Sequence, residues 1–354
     1  MKNYLRNDLI DLVPYDEGDR TRIYKYKLDA NESPWDIPER VKKALAKEIM
    51  SGGNFNRYPD SNCTLLRKYI GQYCNVFPEQ VVVGSGSDEI IQILVTAFVN
   101  KGDYVICPTP SFGMYRIFTS ISGGKSVEIP LAKNFQYDTE NINSAINKHK
   151  PKLVFLCSPN NPTGNVIEVN QVLEITKNFD GIVVVDEAYG EFTQGTMISL
   201  LDECPNLVVL KTFSKALGLA GLRIGYCICA PELAKQISKV KPPYNVNSFS
   251  QKAAIMTLEN QDIVKERISE ILRQREFLYQ TLKQIPGIDV YPSEANFLLI
   301  RVPNGTMTWK KLMDKGILVR NFSHNPHLEN CLRVTVGDQM ANQCFIDAMK
   351  EIMG

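Results

Sequence analysis

Lys215 lies in the segment KTFSKALGLAGLRIGY, a loop rich in glycine and other small residues between two apolar stretches. A lysine in such a loop is most often a solvated charge. A lysine that is partly desolvated and close to other cations instead has a lowered pKa, and its neutral amine can act as a nucleophile. Arg223 follows eight residues later and could reach a phosphate held nearby. Lys215 is therefore a candidate nucleophile.

Asp186 ends the apolar run VVVD, and two kinds of site use a carboxylate in this position. An aspartate at the end of a buried strand can bind magnesium beside a nucleotide, but that use also requires a phosphate-binding loop with a fixed glycine pattern. The nearest candidate loop, around Lys125, has Thr119 at its first glycine position, which disfavours an ATPase. The other use is a carboxylate facing a protonated ring nitrogen, which strengthens the ring as an electron sink.

Two further turns carry groups suited to binding a ligand. The turn Gly84-Ser85-Gly86-Ser87-Asp88 follows a predicted strand and opens a helix, where backbone N–H groups and the helix N-terminus favour an anion. An ordinary glycine turn with a serine N-cap explains the same residues equally well. The turn SPNNPTG follows another strand, and Asn161 within it can present its amide to a ligand oxygen.

These residues lie at the ends of apolar segments that alternate with helical segments. The predicted strands are apolar throughout, which indicates burial on both faces, and the alternation predicts a parallel sheet in an α/β fold. The strand segments are VVVGSGS, YVICPTP, KLVFLCSPNNP, IVVVDEAY, LVVLKTFS and LRIGYCICA. A helix is predicted from Pro38 to Met50, where apolar residues recur at helical spacing.

Both ends of the chain depart from this pattern. The first stretch, to about Ser33, is polar and interrupted by proline and glycine, and it is typical of an arm without a compact fold of its own. The segment 248–285 is largely helical, and the tail after it indicates a smaller α+β lobe. We expect an N-terminal arm and the start of the small lobe at 1–45, a large domain at 46–247, and a linking helix with a small C-terminal domain at 248–354. Ligands usually bind in a cleft between two such lobes.

The composition argues against several functional classes. The 354 residues include 40 Lys and Arg against 39 Asp and Glu, so no basic surface is expected for nucleic acid or an anionic membrane. No apolar run reaches the ~20 residues of a membrane helix, and no signal peptide is predicted. The nine cysteines lack metal-ligand spacing, and several lie in apolar runs. We expect neither zinc nor disulfides, and a cytoplasmic location.

In their order along the chain, these motifs resemble the fold-type I pyridoxal-phosphate (PLP) aminotransferases. The shared order is an aromatic turn, SPNNPTG, VVVDEAY, and a Ser-Lys pair with an arginine eight residues after the lysine. The resemblance extends over nearly the whole chain and implies a large domain with a mostly parallel sheet flanked by helices, plus a smaller α+β lobe. It is greatest to the histidinol-phosphate aminotransferase subgroup, in the segments LDANESP, NRYPD, VVVGSGSDEII, PSFGMY, SKALGLAGLRIGY, EANFLLIRV, GILVRNF and CLRVTVG.

The resemblance implies a role around PLP for each matching residue. Lys215 would carry the cofactor as a Schiff base and move a proton during the reaction, while Asp186 would pair with the pyridine nitrogen. Tyr189 and Asn161 would hydrogen-bond the phenolic oxygen of the ring. Phe112 would stack on the ring, where many relatives have tyrosine. The residues around the phosphate would be Gly86, Ser87, Asp88, Ser214 and Arg223, with Thr212 as a weaker candidate.

The resemblance also implies substrate contacts and a second subunit. Tyr58, in NRYPD, would reach the cofactor phosphate of a neighbouring subunit, giving a homodimer with active sites at the subunit interface. Arg333 would grip the acidic end of the substrate, because an arginine fork binds carboxylate or phosphate. Arg320 and Tyr15 match further positions for the phosphate end. Asn31 would order the arm over the cleft, although a local Asx turn explains it equally well.

The implied reaction is an amino transfer in histidine biosynthesis. Glutamate would give its amino group to the cofactor, and imidazole-acetol phosphate would then receive it and leave as histidinol phosphate. Two alternatives share the fold and stay open at this point. One is a PLP-dependent decarboxylase that acts on a phosphorylated amino acid such as threonine phosphate, and the other is an aromatic amino-acid aminotransferase.

Overall fold

The computed structural model describes residues 4–15, 18–19 and 21–354. Over these ranges the strands are β1 Tyr26–Leu28, β2 Val81–Gly84, β3 Tyr104–Thr109, β4 Lys125–Pro130, β5 Leu153–Cys157, β6 Ile182–Asp186, β7 Leu207–Thr212, β8 Gly225–Cys229, β9 Asp289–Val290, β10 Phe297–Arg301, β11 Ile317–Asn321 and β12 Cys331–Thr335. The helices are α1 Glu39–Met50, α2 Thr64–Cys74, α3 Gly86–Phe98, α4 Met114–Ile121, α5 Thr139–His149, α6 Val169–Lys177, α7 Pro231–Ser238, α8 Ser248–Leu258, α9 Gln261–Leu282, α10 Gly305–Asp314 and α11 Gln339–Met353.

The larger of the two described sheets has the strand order β2-β8-β7-β6-β5-β3-β4. Neighbouring strands from β7 through β6, β5 and β3 to β4 are parallel, whereas β8 is antiparallel to both β7 and β2. The predicted α/β architecture with a mostly parallel sheet is confirmed. The strand β4 was not predicted, because this edge strand is only partly buried and its sequence, KSVEIP, mixes polar and apolar residues.

Apolar cores on both faces of the larger sheet explain why its central strands are apolar throughout. Along β6, Val183 and Val185 belong to one apolar core, and Val184 belongs to the core on the other face. Successive side chains of a strand point to opposite faces, so a strand covered on both faces needs an apolar residue at each position. Helix α1 follows Pro38 as predicted and buries Val41 and Leu45.

The smaller sheet has the order β1-β11-β12-β10-β9. Its first strand comes from the N-terminal arm and pairs in parallel with β11, placing Tyr26 opposite Ile317. The arm was expected to have no compact fold of its own, and β1 forms part of a sheet only by pairing with a distant strand. The strand itself was not predicted, because three residues are too few to show an alternating pattern. The domain boundaries at 45/46 and 247/248 stay a prediction. None of the helices in the described ranges combines the length and apolar character needed to cross a membrane.

One edge of the larger sheet collects the residues singled out from the sequence. Asp186 ends β6 and pairs in register with Cys157, the last residue of β5. Thr212 ends β7 and lies opposite Gly225, the first residue of the antiparallel strand β8. Gly225 in turn lies opposite Gly84, which ends β2. The turns that follow β2, β5, β6 and β7, and the turn that precedes β8, therefore meet at this edge.

Candidate active site

A cavity of about 540 Å³ opens at this edge, between the larger sheet and strands β11 and β12 of the smaller one. Its size is in the range of sites for small ligands. The cavity is lined by Tyr15, Asp29, Ala30, Asn31, Glu32, Ser87, Asp88, Phe112, Met114, Cys157, Asn161, Asp186, Ala188, Tyr189, Thr212, Ser214, Lys215, Ala220, Gly221, Arg223, Arg320 and Arg333. The residues predicted from distant parts of the sequence thus converge on one space.

Lys215 lies in the loop after β7, with its side chain partly buried at the cavity wall. Its Nζ donates a hydrogen bond to the backbone oxygen of Ala30, at 2.8 Å, and lies 5.8 Å from the centre of the Tyr189 ring. Burial, together with the positive charges of Arg333 and Arg223, lowers the pKa of Lys215 to about 8. A much larger fraction of this amine is neutral at physiological pH than for an ordinary lysine, which suits a nucleophile or a general base.

Asp186 is 2% exposed and receives two hydrogen bonds. The hydroxyl of Tyr115 donates to Oδ2 at 2.6 Å, and the backbone N–H of Ala188 donates to Oδ1 at 3.0 Å. Burial raises the pKa of Asp186 to about 6, while the two hydrogen bonds act in the opposite direction. A cation facing this carboxylate would stabilise its ionised form. Tyr115 was not singled out in the sequence, although it follows Phe112 at the helical spacing of three residues.

Asn31 connects the arm to the turn after β6 and to strand β12 of the smaller sheet. Its Nδ2 donates to the hydroxyl of Tyr189 at 2.8 Å, and its backbone N–H donates to Oγ1 of Thr335 at 2.9 Å. The side chain of Asn296 donates to the backbone oxygen of Asn31. Asn31 has a positive φ of 53°, a conformation that asparagine tolerates better than most residues. These partners are distant in sequence, so the structure places Asn31 in a long-range tie at the cavity wall.

A buried ion-pair cluster lies behind Tyr189. The Nζ of Lys211, on β7, is 3.2 Å from Oε2 of Glu187 and 3.1 Å from Oε1 of Glu191. Glu187 also accepts a hydrogen bond from the backbone N–H of Met197, at 2.6 Å. These ion pairs hold the loop that carries Tyr189 against strand β7. No motif indicated this pairing, because it joins residues on separate elements that are distant in the sequence.

Arg333 lies on β12 and is 5% exposed. Its Nη1 donates to Oδ1 of Asn161 and its Nη2 to the backbone oxygen of Asp29, while its buried Nε has no hydrogen-bond partner among the described residues. Because Asn161 accepts through its oxygen, its amide nitrogen is the atom that can donate to a ligand. Burial lowers the pKa of Arg333. The guanidinium also lies 5.3 Å from the ring centre of Phe297.

Arg320 pairs in register with Arg333 across strands β11 and β12. The guanidinium of Arg320 lies 5.7 Å from the ring centre of Tyr15, which in turn meets Phe112 edge to face at 5.8 Å. Two guanidinium groups therefore lie at the same wall of the cavity, which the carboxylates of Asp29 and Glu32 also line. This wall suits a ligand that carries a carboxylate or a phosphate.

The turn at the start of α3 forms a second anion-binding region. Arg223 donates from Nη2 to Oδ2 of Asp88, at 2.8 Å, and its Nη1 lies 3.5 Å from Oγ of Ser214. Gly86 has a φ of 82°, and a Cβ there would lie 2.4 Å from Nη2 of Arg223. Gly86 therefore lets the guanidinium approach the N-terminus of α3, where Ser87 also lines the cavity. Helix N-termini and guanidinium groups both favour anions.

Gly225 provides the close contact between β8 and this turn, and we expect Gly225→Ala to disturb it. A Cβ at position 225 would lie 2.2 Å from the backbone nitrogen of Ser87 and 2.4 Å from the carbonyl carbon of Gly86. The substitution should reduce the free energy of unfolding by roughly 1–3 kcal/mol, measured by chemical denaturation. Gly113→Ala is the control, because a Cβ at position 113 would meet no described atom within 4 Å. Equal stability of the two variants would contradict the expected clash.

Two predicted residues do not line the cavity. Tyr58 is 82% exposed and stacks on Tyr244, with the ring centres 4.5 Å apart. Gly86 lies behind Arg223 and does not itself face the cavity. All nine cysteines carry free thiols.

Comparison with known families identifies the chain as an aminotransferase. A family model for class I and II aminotransferases matches residues 24–349, so the chain belongs to that family. A histidinol-phosphate aminotransferase of Caldanaerobacter subterraneus subsp. tengcongensis is 44% identical, over 100% of this chain and 99% of the relative. The fold and family that the sequence predicted are confirmed.

Solved structures support the same assignment. The histidinol-phosphate aminotransferase of Sinorhizobium meliloti, solved in complex with pyridoxal 5'-phosphate, matches with a TM-score of 0.87 and 26% identity. The alignment covers 94% of this chain and 92% of that one. The enzyme of the same name from Clostridium acetobutylicum matches with a TM-score of 0.85 and 27% identity, covering 93% of this chain and 99% of that one.

Proposed function

We propose that this aminotransferase uses PLP to exchange an amino group between glutamate and imidazole-acetol phosphate, giving 2-oxoglutarate and histidinol phosphate in histidine biosynthesis. One observation carries the proposal: a single cavity holds the Lys215 amine, the Asp186 carboxylate and an anion-binding turn. The substrate is supported by relatives of high coverage that are histidinol-phosphate aminotransferases.

The residues present fit PLP group by group. The close approach of Arg223 to Gly86, with Ser87 and Ser214 beside it, suits the cofactor phosphate, while Thr212 lies next to Ser214. Asp186 would face the ring nitrogen, and Phe112 would cover one face of the ring. The remaining polar groups of the ring and the aldehyde would be met by Tyr189, Asn161 and Lys215, which all line the same cavity.

The bound cofactor would supply an electron sink for the carbanion that forms at the substrate Cα. The Nζ of Lys215 would hold the cofactor and then take the α-proton of the amino acid, a step that its lowered pKa favours. Asp186 would keep the ring nitrogen protonated. The hydroxyl of Tyr189, held by Nδ2 of Asn31, would donate to the phenolic oxygen of the ring.

Arg333 would bind the acidic end of each substrate. Its Nη groups are ordered by Asn161 and by the backbone of Asp29, and the aromatic ring of Phe297 limits its movement. A guanidinium held in this way can accept the carboxylate of glutamate in one half-reaction and a phosphate ester in the other. Arg320 and Tyr15, at the same wall, would complete the phosphate site.

Tyr58 supports a homodimer with active sites at the subunit interface. Its ring is largely exposed and lies outside the cavity of its own chain, as expected for a side chain that serves the cofactor of a second copy. We propose a cytoplasmic homodimer whose further partners are small amino acids and phosphate esters, with no nucleic-acid or membrane partner.

A substrate panel tests the proposal. The purified protein, supplied with PLP, is given histidinol phosphate and 2-oxoglutarate, and glutamate formation is measured. Phenylalanine replaces histidinol phosphate in a second reaction, and threonine phosphate is supplied alone in a third, with carbon dioxide as the readout. We expect the histidinol phosphate reaction to have the highest kcat/KM. Faster transamination of phenylalanine, or carbon dioxide release from threonine phosphate without a keto acid, would contradict it.

A further inference from the structure

Tyr115 lies directly beneath the cavity, in the first turn of α4. The residue is 1% exposed, and its ring stacks on Phe155 with a centroid distance of 4.7 Å and an interplanar angle of 8°. The Tyr115 ring also meets the Phe112 ring edge to face, with a centroid distance of 5.6 Å and an interplanar angle of 85°. Tyr115 therefore contacts the aromatic residue at the cavity wall as well as the apolar core on one face of the larger sheet.

The apolar surroundings of Tyr115 account for its ring but not for its hydroxyl. A phenylalanine would make the same ring contacts without burying a polar group, and a buried hydroxyl without a partner costs free energy. Here the hydroxyl donates to Oδ2 of Asp186, at 2.6 Å. Oδ1 of the same carboxylate accepts from the backbone N–H of Ala188. The two donors fix both oxygens, and so fix the plane of the carboxylate.

We infer that Tyr115 is a positioning residue that orients the Asp186 carboxylate toward the ring nitrogen of the cofactor and stabilises its ionised form. This inference rests on the proposed function. Rotation about the Cβ–Cγ bond moves both carboxylate oxygens, so two donors, one on each oxygen, restrain the plane more tightly than the backbone N–H of Ala188 alone. Tyr115 supplies the second point, and its contacts with Phe155 and Phe112 hold its own ring in place.

Apart from the backbone N–H of Ala188, the other groups around Asp186 do not favour its ionised form, so the hydroxyl of Tyr115 is needed to stabilise it. Burial favours the protonated acid, and the nearby acidic groups of Asp88 and Glu187 act in the same direction. The Cys157 thiol faces Asp186 from β5, and burial raises the pKa of that thiol. A neutral thiol supplies no positive charge. Among the described groups, the hydroxyl of Tyr115 is the strongest influence that favours the carboxylate, followed by the backbone N–H of Ala188.

Tyr115→Phe tests the inference, because it removes the hydroxyl and retains the ring. The variant and the wild type are loaded with PLP labelled with ¹⁵N at the ring nitrogen, and the ¹⁵N chemical shift is followed against pH. We expect the pH at which the ring nitrogen loses its proton to fall by about one unit, and the Kd for PLP to rise roughly tenfold, since a hydrogen bond to a charged group is lost.

Tyr137→Phe is the matched control. Tyr137 is also buried, and its hydroxyl donates to the backbone oxygen of Cys157 rather than to a carboxylate. We expect this variant to keep the wild-type ¹⁵N titration. Incorporation of 3-fluorotyrosine at position 115 gives a second variant with a stronger donor, and it should shift the titration in the opposite direction to Tyr115→Phe.

The outcomes separate the inference from the proposed function. A wild-type protein that binds PLP with a protonated ring nitrogen supports the proposed cofactor. If Tyr115→Phe then shows the wild-type titration and Kd, the inference is wrong and the proposed function stands. An equal shift in Tyr137→Phe would also overturn the inference, because the effect would not depend on Asp186. A wild-type protein that takes up no PLP would overturn both.

Discussion

Replacing Lys215 with alanine should reduce kcat for the histidinol phosphate reaction by about 10⁴-fold or more. The variant would lose both the covalent attachment of the cofactor and the amine that takes the substrate α-proton. No other lysine lines the cavity among the described residues, so no neighbouring amine can substitute. The measurement is the initial rate of glutamate formation at saturating PLP, with cofactor uptake followed by absorbance.

Lys283→Ala is the matched control for this prediction. Both lysines place Nζ near an aromatic ring, at 5.8 Å from Tyr189 for Lys215 and at 5.2 Å from Tyr279 for Lys283, but Lys283 lies outside the cavity. We expect Lys283→Ala to retain the wild-type rate. Activity of Lys215→Ala within tenfold of the wild type would contradict the assignment.

The same lysine sets a pH dependence that can be measured without substrate. The amine reacts with the PLP aldehyde in its neutral form, and the pKa of Lys215 is lowered to about 8 by burial and by the charge of Arg333. The rate of PLP capture by the cofactor-free protein should therefore rise with pH, with a midpoint near 8. Arg333→Gln should move this midpoint upward, because it removes a positive charge that disfavours the protonated amine.

Asp186→Asn should have opposite effects on activity and on stability. An asparagine cannot hold the ring nitrogen in its protonated form as a carboxylate does, so we expect kcat to fall by roughly 10²–10³-fold. The cofactor-free protein should become more stable at neutral pH, because the substitution removes a buried charge. The free energy of unfolding is measured by denaturation of the cofactor-free protein, at a series of pH values.

The sign of the stability effect follows from the pKa of Asp186, which is raised from 3.8 to about 6 by burial. The folded state then holds the proton more tightly than the unfolded state. Above pH 6, where the carboxylate is ionised in both states, its charge therefore destabilises the folded state. Its ionisation costs on the order of 3 kcal/mol there, and this cost disappears as the pH falls from 6 toward 4. The gain from Asp186→Asn should therefore be largest at pH 7 and above and should shrink toward pH 4.

Asp202→Asn is the control, because Asp202 is exposed and lies outside the cavity. It should leave kcat unchanged and should not give the stability gain expected for Asp186→Asn. A stability gain for Asp186→Asn that is equal at pH 5 and pH 8 would contradict a raised pKa for this carboxyl.

The residues at the ends of strands were predictable because the strands themselves are. Val183–Val185 must be apolar to fill the cores on both faces of the sheet. This run of apolar residues therefore predicts a buried strand, and Asp186 marks the end of that strand. Lys215 and Asn161 lie in the turns after such strands. That these turns meet in one site was predicted only from the resemblance to a family, because the spacing of residues along the chain does not specify which turns meet.

The sequence did not reveal Tyr115, and it left the role of Asn31 open between ordering the arm and a local turn, because both side chains act through long-range contacts. Tyr115 reaches Asp186 across 71 positions, and Asn31 reaches Tyr189 across 158. Each of these side chains is common in local roles, as a core aromatic or as a turn asparagine. Strand β4 was missed for a related reason, because an edge strand with partly exposed side chains lacks a continuous apolar run.

The most direct test of the account is to locate the amine that holds the cofactor. The wild-type protein is loaded with PLP and reduced with borohydride, which fixes the cofactor to its amine, and the labelled peptide is then identified by mass spectrometry. We predict one label per chain, on Lys215. A label on a different lysine, or a protein that remains unlabelled after exposure to excess PLP, would contradict the assignment of this cavity as the active site.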